Sequence, residues 1–160
     1  AGCVSSPTKA FICGGNTPSS TSSIDTFTIA SKGNSTNIGD LTDISFNTTA
    51  CSNSTRAVIS LGAILDSPYA GTKRLNSYEL ASTGNATDFG DLNNIRSRCA
   101  AAASNIRGVF GGGGPTSLNM DSVLFSSKGG GTFFGDLGRD TTTDTAMSGV
   151  SDSHGGLGGY

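Results

Sequence analysis

The chain has 160 residues, of which 24 are Gly and none Trp, with 14% charged residues and a formal charge of −2. That length suits one domain with a real core. So much Gly with so few charges excludes a bundle of amphipathic helices, because Gly and β-branched residues weaken helix interiors and charged outer faces are missing. No cluster of Lys and Arg offers a footprint for a nucleic-acid backbone, and no apolar run approaches the roughly 18 to 20 residues of a membrane-spanning helix. The expectation is a soluble all-β domain with no nucleic-acid or membrane partner.

In chain order, the first element is an alternating stretch, Cys3-Val-Ser-Ser-Pro-Thr-Lys-Ala-Phe-Ile-Cys-Gly-Gly15. A strand follows over 23–31, with Ile24, Thr26 and Thr28 on one face and Asp25, Phe27 and Ile29 on the other, apolar in part on both faces as between packed sheets. It leads into the phrase Ser31-Lys-Gly-Asn-Ser-Thr-Asn-Ile-Gly-Asp-Leu41, read as a hairpin whose first Gly permits a chain reversal and whose Gly-Asp forms a turn. The opening stretch recurs as Ala50-Cys-Ser-Asn-Ser-Thr-Arg-Ala-Val-Ile-Ser-Leu-Gly62. Then Leu65-Asp-Ser-Pro-Tyr-Ala-Gly-Thr-Lys-Arg74 breaks the pattern, and Tyr69, Lys73 and Arg74 there suit an exposed contact loop.

The strand recurs over 76–82 and the phrase as Ser82-Thr-Gly-Asn-Ala-Thr-Asp-Phe-Gly-Asp-Leu92. A third round comprises the stretch 101–113, the strand 120–126 and the altered phrase Ser127-Lys-Gly-Gly-Gly-Thr-Phe-Phe-Gly-Asp-Leu137, and a degenerate fourth stretch runs from Gly149 to Gly159. Lys9, Arg56 and Arg107 thereby fall at equivalent positions, with His154 in the last copy. Arg56 and Arg107 are 51 residues apart, and Asp40, Asp91 and Asp136 are separated by 51 and 45. The cations are read as structural, bonding carbonyls or a neighbouring Asp, and the aspartates as stabilising their turns.

A period near fifty residues holding about four short strands is the spacing of a kelch-type propeller blade. The aligned elements, an alternating strand, a Gly-Asn to Gly-Asp-Leu phrase and a Ser-x-x-Arg-x-Val strand, resemble the kelch-like blade repeats in virion surface proteins of marine and cyanobacterial tailed bacteriophages. The fold class expected is all-β, with three antiparallel sheet repeats as kelch-like blades or a three-sided β-prism-like body, completed if need be by neighbouring chains. One domain spans 1–160, with units 11–62, 63–113 and 114–160 and an extra half repeat at 1–15. Four Arg-type strands against three hairpin phrases leave a surplus strand that needs a partner.

The resemblance implies a non-enzymatic structural or adhesion protein on the virion surface, outside the cell: a capsid decoration, head fibre or tail appendage component. Its partners would be other virion proteins, copies of itself and host-surface carbohydrate. The alternative is a secreted carbohydrate-binding or protein-binding β-repeat module. No catalytic residue and no cofactor is expected. Ser151, Asp152, Ser153 and His154 lie too close in sequence to converge as a triad, and Gly111–Ser117 lacks the Lys and helix of a phosphate loop. No metal site is expected either, since one carboxylate per repeat is thin for Ca²⁺ and the cysteines form no Cys-x-x-Cys pair. For Cys3, Cys13, Cys51 and Cys99 three disulfide pairings stay open, beside the reading of the thiols as small buried apolar groups.

Overall fold

The structure, a computed structural model, describes residues 1–16, 18–64, 71–114, 118–138 and 147–149. Among these, all regular structure is β. The first sheet is formed by β1 (Gly2–Ser5), β2 (Lys9–Asn16), β3 (Ser20–Thr28) and β4 (Thr36–Phe46). The second has β5 (Thr49–Ser52), β6 (Arg56–Ser60), β8 (Thr72–Glu79) and β9 (Thr87–Arg96). The third has β10 (Ala100–Ala103), β11 (Arg107–Gly111), β12 (Asn119–Leu124) and β13 (Thr132–Asp136). Each is an antiparallel meander in sequence order, and the two-residue β7 (Ala63–Ile64) leaves the second sheet to pair with β4 at the edge of the first. The expected all-β class with three antiparallel sheet repeats is what the chain forms.

The sheets start at the opening residues, so 1–15 supplies the first two strands of the first sheet. The three strands expected over 23–31, 76–82 and 120–126 fall mainly within β3, β8 and β12, the third strand of three separate sheets. Each sheet thus opens with an Arg-type stretch and closes with a Gly-Asp-Leu phrase, and the surplus fourth stretch lies, beyond Gly149, outside the described residues.

Local chemistry explains both recurring signals. Between the first two strands of each sheet the chain turns tightly, with Ser6 N–H bonded to Lys9 O at 2.8 Å, Asn53 N–H to Arg56 O at 3.1 Å and Ser104 N–H to Arg107 O at 2.8 Å. The Ser6, Asn53 and Ser104 side chains each accept from the amide of the cation position, at 3.0, 2.8 and 3.1 Å. Ser and Asn favour such turns because their short side chains mimic a backbone acceptor.

The Gly-Asp pair, in contrast, forms no turn, and that expectation is corrected. Gly39-Asp40 lies inside β4, Gly90-Asp91 inside β9 and Gly135-Asp136 at the end of β13. Ile24 opposes Gly39 while Asp25 opposes Asn37, so Ile38 is an extra residue; Phe89 and Phe134 are extra in the same way. These are β-bulges, which re-aim a side chain and sharpen strand twist.

The second sheet is sandwiched between the other two. Its β6 buries both Val58 and Ile59 completely, one on each face. Toward the first sheet, Ile59, Leu61, Tyr78 and Leu80 pack with Val4, Phe11, Cys13, Ile24 and Leu41. Toward the third, Val58, Leu75, Phe89 and Leu92 pack with Phe110, Val123 and Phe125. A strand covered on both sides reads as a continuous apolar run, as Ala57-Val-Ile does here.

Candidate functional site

The geometry that repeats most closely is the junction between successive sheets. The hairpin of each later sheet donates to the bulge of the sheet before it. Gly84 N–H bonds to Ile38 O and Ala86 N–H to Asp40 O, both at 2.8 Å, while Gly129 N–H bonds to Phe89 O at 2.8 Å and Gly131 N–H to Asp91 O at 2.7 Å. Glycine is required at the bulge by this approach: a Cβ on Gly39 would fall 2.0 Å from Gly84 O, and one on Gly90 2.4 Å from Gly129 O. The recurrent Gly-Asp is therefore a docking strip between sheets.

Each junction carries a polar key built on a buried side chain. In the first, Thr42 N–H donates to the Asn76 amide oxygen at 2.9 Å and the two side chains bond at 3.0 Å, with Asn76 buried. In the second, Asn93 occupies the equivalent place and donates to Asp121 at 2.9 Å, while Arg96 pairs with Asp121 at 3.0 Å and donates to Gly112 O at 2.9 Å. Both charges are fully buried. The sequence reading missed this ion pair. The only signal was that Arg96 and Asp121 replace Ser45 and Asn76 at aligned positions, a paired change of sign-bearing side chains.

The expected cations do sit at one position, the first residue of the second strand in each sheet. Arg56 reaches the Phe125 carbonyl of the following sheet and pairs with Glu79 at 2.5 Å. Arg107 stands on the last sheet with its guanidinium 5.7 Å from the centre of the Phe134 ring. Asp40, Asp91 and Asp136 are exposed strand residues and do not cap a turn; the Asp40 carboxylate accepts from Ser22 at 2.9 Å. Among the described residues, no three or more His, Cys, Asp or Glu gather as a metal site. Of the expected contact loop, Tyr69 lies outside the described residues, whereas Lys73 and Arg74 are exposed on β8, and Arg74 pairs with Asp43 at 2.8 Å.

All four thiols are free, with Cys13, Cys51 and Cys99 buried and Cys3 exposed. Burial pushes the Cys13 thiol up to about 12 and those of Cys51 and Cys99 upward as well. Protonated and enclosed, these are packing groups with none of the thiolate character that a nucleophile needs.

The two outer faces differ from the interior in a systematic way. On the first sheet, Phe27 and Ile29 align with Tyr78 and Leu80 and with Val123 and Phe125, all four of which the preceding sheet buries. Phe27 is nevertheless 37% exposed and Ile29 54%. On the third sheet, Phe134 aligns with the buried Phe89 yet is 48% exposed. There it borders a shallow groove of about 460 Å³ lined by Ala102, Ile106, Arg107 and Val109. At both faces, apolar side chains whose interior counterparts are covered by a neighbouring sheet meet solvent.

No family model matches the chain, and no curated protein matches it. Solved structures do match, among them the structure of YjhT, with a TM-score of 0.66 at 8% identity over 85% of this chain and 51% of that one. The chain thus spans about half the length of YjhT, and at this identity the likeness is one of fold.

Proposed function

We propose that this protein is a non-enzymatic structural and adhesion component of a bacteriophage virion surface, a capsid decoration, head fibre or tail appendage part. The observation that carries the structural role is the pair of open faces, where Phe27, Ile29 and Phe134 stay exposed at positions that the interior junctions cover. Covering such side chains removes apolar surface from water and so favours association with a neighbour. The virion setting rests on the resemblance of the repeats to phage virion blades. Its partners are then other virion proteins and copies of itself, and its place is outside the cell.

The test is to tag the chain in a phage that encodes it, then quantify it by mass spectrometry in washed particles and locate it in a particle map. A fixed copy number at a defined surface site is the expected result. Loss from washed particles, or turnover of a substrate by the purified chain, would overturn the reading. A second reading, a secreted carbohydrate-binding module, is favoured by the groove beside Phe134 and Arg107, since an aromatic ring next to a cation suits a sugar face. Binding on a glycan array that Phe134→Ala abolishes would support it.

A further inference from the structure

We infer that the two open faces are complementary to each other and that the leading face of one copy docks on the trailing face of a second, reproducing the interior junctions head to tail. The inference rests on the reading of these faces as assembly surfaces and names the occupant. Its basis is position-by-position identity of chemistry. At the second interior junction the Lys128 ammonium donates to Thr87 Oγ1 at 3.0 Å and to Asp88 O at 2.9 Å. The aligned residues at the ends of the chain are Lys32, in the exposed hairpin of the first sheet, and Thr132 and Phe133, on the exposed last strand. One copy's Lys32 thus meets the acceptors that another copy's β13 presents.

The backbone repeats the match. Gly33 and Ser35 align with Gly84 and Ala86, the amides that dock on a bulge, and Phe134 and Asp136 align with the carbonyls that receive them. Arg107 aligns with Arg56, whose guanidinium crosses a junction to the Phe125 carbonyl, and the corresponding carbonyl on the leading face is that of Ile29. Such an interface is heterologous: it joins different patches, and it closes into a ring when the rotation between units permits.

Met147 to Gly149 narrow the geometry. Met147 N–H bonds to Arg98 O at 3.1 Å, as Arg98 N–H bonds to Asn47 O at 3.3 Å, so this segment stands at the entry to the next sheet's first strand. The incoming copy's Ala1 and Gly2 yield to it.

The test uses the full chain and two exposed-face variants, Ile29→Arg on the leading face and Phe134→Arg on the trailing face, with far-UV circular dichroism as the folding control. Light scattering after size exclusion, over a hundredfold concentration range, should show the wild-type chain forming a dimer or a larger head-to-tail oligomer and each variant remaining a monomer. An equimolar mixture of the two variants should regain a dimer, because each retains the face the other lacks. A wild-type monomer at every concentration, variants that dimerise like wild type, or a mixture that stays monomeric would each overturn the inference. A dimer absent from washed particles would remove the virion reading alone, whereas a monomer found in particles would remove this inference alone.

Discussion

The two interior junctions are built on one backbone plan and locked by different side chains. Both use two amides of a later hairpin on two carbonyls of an earlier bulge, with distances between 2.7 and 2.8 Å. The first is keyed by the neutral pair Thr42 and Asn76, and the Ser45 hydroxyl, at the position aligned with Arg96, is buried without a hydrogen-bond partner. The second is keyed by Arg96, Asp121 and Asn93, with both charges fully buried and Asn93 exposed at the rim. Main-chain contacts thus set the stacking of sheets, and the keys give each junction its own identity. A buried ion pair is weak as a source of net stability but costly to break, since removing one partner strands the other charge.

Breaking the keys should separate the junctions. Asp121→Ala leaves Arg96 unpaired in the core and should lower stability by about 3 to 5 kcal/mol in chemical denaturation. Replacing both charged partners by their first-junction counterparts, as Arg96→Ser with Asp121→Asn, removes both charges together and should cost less than Asp121→Ala alone. A double variant less stable than the single would contradict the view of the pair as a coupled unit. Asn76→Ala in the first junction strands only a neutral amide and should cost about 1 to 3 kcal/mol.

The thiols sharpen the comparison by pH. A folded thiol held up to about 12 from an ordinary 9.0 keeps its proton where the unfolded chain has lost it. The unfolded state then binds fewer protons, so stability is unaffected below pH 9 and falls above it, by about 1.4 kcal/mol per pH unit for each such thiol. Cys13 lies in the first junction, and Cys51 and Cys99 lie in the second. Cys13→Ala should therefore remove less of the alkaline slope than the paired change at 51 and 99, as read from denaturation midpoints between pH 8 and 11.

The smallest effect belongs to the equivalent cations. Arg56 spans a junction, whereas Arg107 lies over a ring on an open face. Arg107→Ala should cost about 0.5 to 1 kcal/mol in the isolated chain, and Arg56→Ala more. Equal losses would mean that the position acts through its own turn and not through the next sheet.

The repeat made much of this legible from sequence. Strand identity, the equivalence of Lys9, Arg56 and Arg107 and the three-sheet count all follow from residues recurring 45 to 51 apart. What stayed hidden has physical causes. Gly-Asp is a turn signature, and a single inserted residue such as Ile38 or Phe89 leaves the composition of an alternating strand unchanged, so a bulge and a turn look alike. Whether Phe27 or Tyr78 is buried depends on the presence of a neighbouring sheet, which periodicity does not report. The Arg96 and Asp121 pair joins different sheets, and nothing local links the two residues.

Amide hydrogen exchange tests the shared backbone plan most directly. In a monomeric sample, such as the Phe134→Arg variant, the amides of Gly84, Ala86, Gly129 and Gly131 should exchange slowly, with the core, while those of Gly33 and Ser35 should exchange at rates near those of an unfolded chain. Fast exchange at the first four, or protection of Gly33 and Ser35 in that monomer, would contradict the account.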